Sequence, residues 1–503
     1  MASLIAHRRG APGSDSPVTD TARDEWLSET EENEATLRER LDSCDIRVLV
    51  DPSCFVLGLA IANLVARMAP NVTLVGSGDT RIAHAVFGTG QLSEIAMGMV
   101  ATIRPARPVR VQTRYVIAAG TSAPGADLYA SADRWNVRLS RFPHAPLKGN
   151  GLGVAAAAAI TASQFLLAIL QEIPGRRLAS DAIFEWNLVD YRDAIFEGDL
   201  PIMPCRAALF GCGSVGSSLI YSLLLGGVGG LIDAVDTDKL SVRNRFRYPL
   251  WTTADSGPKV AWVARSARES ALAVRPHEMT AAKYLQQQST PIRLAIAAVD
   301  TAEARRDITD GLARVTLNAG IDGLKCHVSR HSLGDGFACA YCQYVDLGSR
   351  LDEVDVYVEL TGLPEARVIR LLSGEALIES DVRHLVTTGR LLKHEASDAL
   401  GGRLQDIARQ RLYAEAAVAS RDTVTSVAAP FVPAVCGAIL AAELAKPGDG
   451  SGPNSLNRRV DVDCSGLPTG IQSSPAPDRS GRCLCASDYR RRAYDDLWGR
   501  TER

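Results

Sequence analysis

Hydrophobic residues fall into short runs separated by glycine turns and polar stretches, and the clearest example spans residues 207–236. An apolar run at 207–210 enters the turn 211–216, and an apolar helical stretch follows to Leu225. A second apolar run at 230–235 then ends at Asp236. Short apolar runs on either side of a longer helical stretch are typical of two buried parallel strands joined by a helix. The pattern therefore predicts an α/β fold of the Rossmann type.

The turn of this unit reads Gly211-Cys212-Gly213-Ser214-Val215-Gly216. Gly211 and Gly213 let the backbone turn tightly and approach a phosphate, while Gly216 lets the helix pack close to the strand. The amino end of the helix, which begins near Ser214, favours an anion. Strand, glycine turn, helix, strand and acidic residue together predict a nucleotide-binding site.

A similar order of strand, turn, apolar helix and strand occurs earlier, in residues 45–79, but its turn reads Asp51-Pro52-Ser53-Cys54 and has no glycine motif. Pro52 also lacks an amide that a phosphate could use. Two apolar helical segments, 151–170 and 431–444, have corresponding places in the two halves. We interpret the first half as a degenerate copy of the second; an unrelated α/β domain is the alternative.

The segment after Asp236 carries charged residues in a specific order. The motifs are Asp236-x-Asp238, Asn244-x-x-Arg247, Asp255-x-Gly257-x-Lys259 and Asp300 at the end of an apolar run. This pattern resembles the ubiquitin-activating family and its bacterial ThiF- and MoeB-like relatives, although the spacing to Lys259 is one residue shorter. The resemblance implies two Rossmann-like halves, the N-terminal one degenerate and the C-terminal one active.

The resemblance also implies roles for individual residues. Asp236 is expected to hold the ribose hydroxyls of ATP, with Asp238 beside it, and Asp300 is expected to bind Mg²⁺. The phosphates are expected to bind Asn244, Arg247 and Lys259. These residue types suit the reaction, because a carboxylate attacking the α-phosphate of ATP brings two anions together.

The cysteines suggest a metal site. Cys339-x-x-Cys342 has a distant partner pair, Cys483-x-Cys485, and two such pairs can supply four thiolates to Zn²⁺. A redox role for Cys339 and Cys342 is the alternative. Zinc at this position is expected to tie the C-terminal tail to the adenylation domain without contributing to the chemistry.

Many members of the family transfer the activated carboxyl to a cysteine, but no cysteine occurs between Cys342 and Cys436. Cys436 lies in an apolar pattern and is expected in the core. Cys464, in a polar segment expected to be exposed, is one candidate for a thioester cysteine. Cys326, which precedes His327, is the other, although neighbours on a strand usually point to opposite faces.

Length, charge and composition narrow the classes of function. A chain of 503 residues is expected to form about two or three domains. The net charge of −3 argues against nucleic acid as a partner. No signal peptide is evident, and Thr161, Ser163 and Gln164 favour a buried helix over a membrane span at 151–170. Eleven cysteines without a secretion signal indicate thiols and metal ligands, and the protein is expected to be cytoplasmic.

The expected organisation follows the chain. It comprises a polar arm (1–40), the degenerate half (41–175), a linker (176–203), the active half (204–446) with a helical insertion (352–415), and a flexible connector with the cysteine tail (447–503). An arginine from the degenerate half, Arg176 or Arg177, could reach the active site across the internal interface. The oligomeric state stays open, because two halves in one chain could replace the two-fold interface of a homodimer.

The resulting hypothesis is ATP- and Mg²⁺-dependent adenylylation of the C-terminal carboxylate of a ubiquitin-like protein, a sulfur-carrier protein or a peptide. Pyrophosphate is released, and onward transfer to a thiol or an amine is possible. Two alternatives are an NAD(P)-dependent oxidoreductase, which gives no reason for Arg247, Lys259 and Asp300, and a non-catalytic scaffold with a vestigial nucleotide site.

Overall fold

The structure is a computed structural model, and most of the chain between residues 39 and 499 is described. The described residues are 39–76, 80–104, 111–170, 178–241, 244, 246–333, 335–345, 354, 357–358, 361–372, 375–391, 393, 396–402, 404, 429–447, 458–468, 470–478 and 481–499. The arm expected at 1–40 lies almost entirely outside these ranges, as do Arg176 and Arg177.

The chain divides into two compact units, Met1–Tyr344 with Ser426–Arg503, and Val345–Thr425. The second unit encloses the insertion expected at 352–415. Both of the expected Rossmann-like halves belong to the first unit.

The N-terminal half of the first unit is built on one sheet and a small hairpin. Its strands are β1 (Cys44–Val50), β2 (Val72–Val75), β3 (Arg81–His84), β4 (Gly88–Gln91), β5 (Thr113–Ala119), β6 (Leu128–Ala132), β7 (Asn136–Ser140) and β8 (Ile183–Asn187). Its helices are α1 (Phe55–Ala66), α2 (Leu92–Ile103) and α3 (Leu152–Leu170). The sheet has the order β2-β1-β5-β6-β7-β8, and β3 pairs with β4 alone.

The C-terminal half of the first unit is built on a longer sheet. Its strands are β9 (Cys205–Phe210), β10 (Gly230–Val235), β11 (Leu272–His277), β12 (Leu294–Ala297), β13 (Val315–Asp322), β14 (Lys325–His331), β15 (Arg459–Asp463) and β16 (Ile471–Ser473). Helices α4 (Ser214–Leu225), α5 (Lys259–Ser266), α6 (Ala281–Gln286) and α7 (Ala302–Asp310) lie between these strands in the sequence. The order is β11-β10-β9-β12-β13-β14-β15-β16.

The remaining helices fall in both units. Those of the second unit are α8 (Glu365–Leu372), α9 (Glu379–Thr387) and α10 (Ala396–Ala399); the first unit continues with α11 (Phe431–Ala445) and α12 (Asp488–Trp498). Within the second unit, Arg367 on α8 holds Asp381 on α9 through two nitrogens, with Nη2 and Oδ2 2.7 Å apart.

The two sheets repeat one topology. The order β2-β1-β5-β6-β7-β8 corresponds to β10-β9-β12-β13-β14-β15, with parallel pairing up to β6 or β13 and antiparallel pairing beyond it. Helix α1 follows β1 as α4 follows β9, and α3 precedes β8 as α11 precedes β15. The expectation of an α/β fold with two Rossmann-like halves is therefore confirmed.

The sheets extend further along the chain than the sequence patterns indicate. Residues 183–187, expected within a linker, form the edge strand β8 of the first sheet. Strands β15 and β16 lie in the segment expected to be a flexible connector, and they extend the second sheet. Both segments are short or interrupted by glycine and proline, so their sequences carry little periodicity of their own.

The two halves join through a layer of buried helices, α1, α3, α4 and α11, with one sheet on each side. Helix α4 approaches α11 closely at Gly437, where a Cβ atom would lie 2.4 Å from the carbonyl carbon of Ser218. Within the described residues, one helical segment, Leu152–Ile169, is long and apolar enough to cross a membrane. Since 94% of that segment is buried inside the protein, it forms the centre of this core, as expected.

Candidate active site

The glycine turn lies where β9 ends and α4 begins. Gly211 has a φ of +92°, and a Cβ atom there would lie 2.4 Å from the carbonyl oxygen of Ala298. A Cβ atom at Gly216 would lie 2.0 Å from the carbonyl oxygen of Gly211. These two glycines are therefore required by the fold itself.

Gly213 differs from the other two glycines, because nothing comes closer to its Cβ position than the hydroxyl of Tyr248 at 3.7 Å. Gly213 is also the N-cap residue of α4, and no side chain caps this helix end. The amides of the first turn of α4 are thus left without a side-chain acceptor. A helix end of this kind suits a phosphate.

Three neighbouring strands bring the other site residues to the same edge. Phe210 at the end of β9 pairs with Val235 of β10 and with Ala297 of β12. The amide of Gly211 donates to the carbonyl of Val235 at 2.9 Å, and the amide of Ala298 donates to that of Phe210 at 2.9 Å. The segments that follow these strands therefore lie together, as expected at the carboxyl edge of parallel strands.

The carboxylate of Asp236 accepts hydrogen bonds from two main-chain amides at this edge of the sheet. One of its carboxylate oxygens accepts from the amide of Cys212 at 2.6 Å, and the other accepts from the amide of Asp238 at 2.7 Å. Burial raises the pKa of Asp236, although these two hydrogen bonds and nearby Lys259 work in the opposite direction. Each oxygen keeps a lone pair, so binding to a ribose hydroxyl stays a prediction compatible with this geometry.

Lys259, the first residue of α5, is a buried cation. Its Nζ donates to a carboxylate oxygen of Asp238 at 2.7 Å and lies 5.9 Å from the ring centre of Tyr248. Burial lowers the pKa of Lys259, but Tyr248, Asp238 and Asp236 outweigh burial and leave it raised. The structure thus joins Lys259 to Asp238 and keeps its positive charge near the glycine turn.

Asn244 and Arg247 lie on the loop between β10 and α5. The side-chain oxygen of Asn244 accepts from the amide of Ser241 at 2.9 Å, and its carbonyl accepts from the amides of Arg247 and Tyr248. Asn244 therefore shapes the loop. The Nε atom of Arg247 is buried and has no hydrogen-bond partner in the described part of the chain. A buried, unsatisfied guanidinium nitrogen is costly unless a ligand satisfies it, which is consistent with an anion site.

Asp300 is exposed, three residues beyond the end of β12 and directly before Thr301, the N-cap residue of α7. Its carboxylate is accessible at the same edge as the glycine turn. Magnesium binding by Asp300 stays a prediction.

The sequence reasoning missed Arg305 on α7. Its side chain is buried over the ring of Tyr344 at 4.6 Å, and Nη2 donates to the carbonyl of Ala319 at 3.3 Å. Nε and Nη1 have no hydrogen-bond partner among the described residues, and burial lowers the pKa of Arg305. The spacing of Arg305 and Ile308 on one face of α7 was the available signal.

The four cysteines of the expected metal site do come together. The sulfur atoms of Cys339, Cys342, Cys483 and Cys485 all lie within 4.8 Å of one another. The Cys339–Cys342 sulfur distance is 3.7 Å, and Cys342–Cys485 is 3.3 Å. Tetrahedral coordination with metal–sulfur bonds of about 2.3 Å requires sulfur atoms about 3.8 Å apart. The residues thus fit a closed four-thiolate metal site.

This cluster joins the tail to the second sheet. Cys342 begins the short turn that carries Tyr344, and helix α12 follows Cys485. The tail is held further by Tyr494, whose hydroxyl donates to the carbonyl of Arg314 at 2.6 Å, and by Trp498, whose Nε1 donates to that of Leu312 at 2.9 Å.

The expected thioester cysteines are not accessible. Cys464, expected to be exposed, is only 2% exposed, and Cys326 is 3% exposed. The thiols of Cys436 and Cys464, followed by burial, raise the pKa of Cys326 well above its ordinary value. Cys464 is buried because the N-terminal half covers it, with the hydroxyl of Ser163 donating to its carbonyl oxygen at 2.9 Å.

His327 does not activate Cys326. Its ring lies against Gly320, on the opposite face of the strand, and burial followed by the charge of Arg459 lowers its pKa to about 4. All eleven cysteines fall within the described residues, and each is buried except Cys342 and Cys485 of the four-cysteine cluster, which are partly buried. A thiolate nucleophile at Cys464 or Cys326 is therefore contradicted by the geometry of this structure.

A comparison with protein families identifies a family whose match includes the candidate site residues. The family model described as "ThiF family" matches residues 190–483, which is more than half of the chain and includes the glycine turn, Arg247, Lys259 and Asp300. This match supports adenylyltransferase-type activity.

Individual relatives are more distant. "Uncharacterized protein y4jF" of Sinorhizobium fredii is 28% identical over 404 residues, which covers 76% of this chain and 77% of the relative. A crystal structure of Escherichia coli MccB is 17% identical with a TM-score of 0.35, covering 56% of this chain and 65% of MccB. The structure of MccB with AMPCPP and MccA is 16% identical with a TM-score of 0.33, covering 56% of this chain and 67% of that one. The chain thus spans about two thirds of the length of these MccB chains.

Proposed function

Because the chain belongs to the ThiF family, we propose that it catalyses ATP- and Mg²⁺-dependent adenylylation of a C-terminal carboxylate. The substrate is a peptide or a small ubiquitin-like or sulfur-carrier protein. One carboxylate oxygen attacks the α-phosphorus of ATP, the bond from that phosphorus to the bridging oxygen of the β-phosphate breaks, and pyrophosphate leaves.

The observation that carries this proposal is the grouping of cationic and amide donors at one strand edge. Lys259 and the uncapped first turn of α4 lie beside the glycine turn, and the loop carrying Arg247 contacts it through Tyr248. These groups neutralise the triphosphate, so that an anionic carboxylate can approach it. A hydride-transfer enzyme has no such need for the two cations.

Asp300 is the proposed ligand of Mg²⁺. Its accessible carboxylate would hold the ion, and the ion would offset the negative charge that develops on pyrophosphate. Asp236 would hold the ribose, while Asp238 would keep Lys259 in place through their 2.7 Å ion pair.

The acyl adenylate is proposed to react with an amine, an amide or another small nucleophile rather than with a cysteine of this chain. Every cysteine outside the metal cluster is buried, and thioester formation needs an accessible thiolate. The four clustered cysteines would hold Zn²⁺, which fixes the tail to the second sheet without taking part in the reaction.

The test is intact-protein mass spectrometry after the chain is mixed with ATP, Mg²⁺ and a carrier protein ending in Gly-Gly that is encoded beside its gene. A carrier heavier by one AMP, with no thiol-sensitive adduct on the enzyme, is the expected result. Arg247→Ala should abolish the AMP adduct, whereas the exposed control Arg192→Ala should preserve it. Failure of the wild-type chain to bind ATP would refute the proposal outright.

A further inference from the structure

The N-terminal half has lost the glycine motif, yet it holds the loop that carries Arg247. Arg67, directly after α1, is 1% exposed. Its Nη2 donates to the carbonyl of Pro249 at 2.7 Å and to that of Trp251 at 3.2 Å. One buried guanidinium therefore satisfies two carbonyl groups of a loop more than 180 residues further along the chain.

Asn63, one turn earlier on α1, completes this contact. Its side-chain oxygen accepts from Nε of Arg67 at 2.9 Å, and its Nδ2 donates to the carbonyl of Pro249 at 3.1 Å. The amide thus fixes the orientation of the guanidinium and contributes a third donor. Such paired, charge-assisted hydrogen bonds are directional and resist displacement.

Two further contacts hold the loop at its ends. The guanidinium of Arg104 lies 4.7 Å from the ring centre of Phe246, and the amide of Thr253 donates to the carbonyl of Thr102 at 3.2 Å. The N-terminal half therefore contacts the loop before, within and after the segment Pro249–Trp251. These contacts also restrain Arg247 and Tyr248, because both residues directly precede that segment.

We propose that Arg67, oriented by Asn63, is a positioning residue for nucleotide binding. It fixes the loop so that Arg247 and Tyr248 stay beside the glycine turn, where the Tyr248 hydroxyl already lies 3.7 Å from the Cβ position of Gly213. Arg67 acts through main-chain carbonyls of the loop. The degenerate half thereby supports the proposed nucleotide site, and this inference rests on the proposed function.

The loss of Arg67 has two separable consequences. Pro249 and Trp251 would lose buried hydrogen bonds, so the loop should open more often. ATP affinity should fall, since binding would then require the loop to be ordered again. The rate at saturating ATP should change little, because the ordered complex is the same once formed.

The experiment compares wild type, Arg67→Met, Arg67→Lys and Arg114→Met. Arg114 is the control, an exposed arginine of the same half whose ion pair with Asp45 spans 3.2 Å. Hydrogen–deuterium exchange of peptides covering 244–252 reports on the loop, and calorimetric titration with Mg·ATP reports on binding. Neither measurement needs the carrier protein.

In Arg67→Met, the loop amides should exchange at least about tenfold faster and the Kd for Mg·ATP should rise about tenfold. The loop exchange rate and the Kd of Arg67→Lys should lie between those of wild type and Arg67→Met. Both values for Arg114→Met should match those of wild type. If Arg67→Met does not fold, Asn63→Ala, which removes only one loop donor, should show the same two changes at about threefold.

Two results would overturn the inference. The first is loop exchange that is unchanged in Arg67→Met, and the second is faster exchange with a Kd within about twofold of wild type. Absence of ATP binding by wild type is a distinct result. It refutes the proposed function, and the inference falls with it.

Discussion

A buried ion pair at the end of α11, which also contacts the segment after β8, offers the sharpest test of the packing. Glu443 and Lys446 lie at the end of α11, with side chains 1% and 0% exposed, and form a close salt bridge. Nζ of Lys446 also donates to the carbonyl of Val189 at 2.9 Å, and the hydroxyl of Tyr191 donates to Glu443. This cluster fixes the segment after β8 against α11.

The replacement Lys446→Met keeps the aliphatic bulk but removes the ammonium partner of the buried Glu443 carboxylate, which still accepts a hydrogen bond from the hydroxyl of Tyr191. Removing one partner of a buried ion pair costs about 3–5 kcal/mol, because the remaining charge is not solvated. Adding Glu443→Gln removes that charge, and the amide can still accept from Tyr191. The double variant should therefore recover at least about half of the loss.

Urea unfolding followed by tryptophan fluorescence is the assay. No tryptophan occurs in Val345–Thr425, so the signal reports only on the first unit, and Trp186 donates directly to the carbonyl of Tyr191 at 3.1 Å. Arg192→Met, at an exposed arginine beside the cluster, is the control and should shift stability by less than about 1 kcal/mol.

The reasoning is refuted if Lys446→Met costs less than about 1 kcal/mol, since the charge would then be solvated or neutral. A double variant as unstable as the single one would also contradict it. In that case the loss would come from packing of the methylene chain rather than from the stranded charge.

Three further predictions concern single sites. Cys339→Ser should lower the bound metal below about half a mole per mole of protein by elemental analysis, while Cys205→Ser, at a buried cysteine outside the cluster, should not. Gly216→Ala should abolish ATP binding and lower the melting temperature because its Cβ would meet a carbonyl oxygen at 2.0 Å, whereas Gly213→Ala should weaken only ATP binding. Burial lowers the pKa of His327 in the folded protein to about 4, below its ordinary value of 6.5, so the stability that neutral His327 supports is complete above pH 6.5 and is lost as the pH falls through 4. His327→Asn should accordingly show a smaller drop in melting temperature between pH 7 and pH 5 than wild type.

The sequence alone predicted the features that depend on residues close together in the chain. The glycine turn, Asp236 and strands β9 and β10 form one contiguous βαβ segment, so a single window of sequence contains the residues that indicate a nucleotide-type turn. The four-cysteine cluster was equally predictable, since two close cysteine pairs have few other uses in a chain with many unpaired thiols. The burial of Leu152–Ile169 followed from its polar interruptions.

The sequence did not predict which isolated residues are buried. Cys464 sits in a polar, glycine-containing segment that indicates exposure, yet it is covered by Ser163, some 300 residues earlier in the chain. The sequence did not predict strands β8 and β15 either, because each is short and gains its hydrogen bonds from neighbouring strands: β7 for β8, and β14 and β16 for β15. Strands of this length depend on the sheet they join.

The sequence by itself determined the fold class, the nucleotide-type turn and the four-cysteine cluster, because each depends on spacing within short segments. Only the tertiary structure decided which distant groups meet. It placed Arg67 against Pro249 and Trp251, and it joined Lys446 to the segment after β8. The physical reason is that such contacts arise from the packing of two sheets around a shared helix layer, where hundreds of residues jointly fix each position and no local period records the outcome.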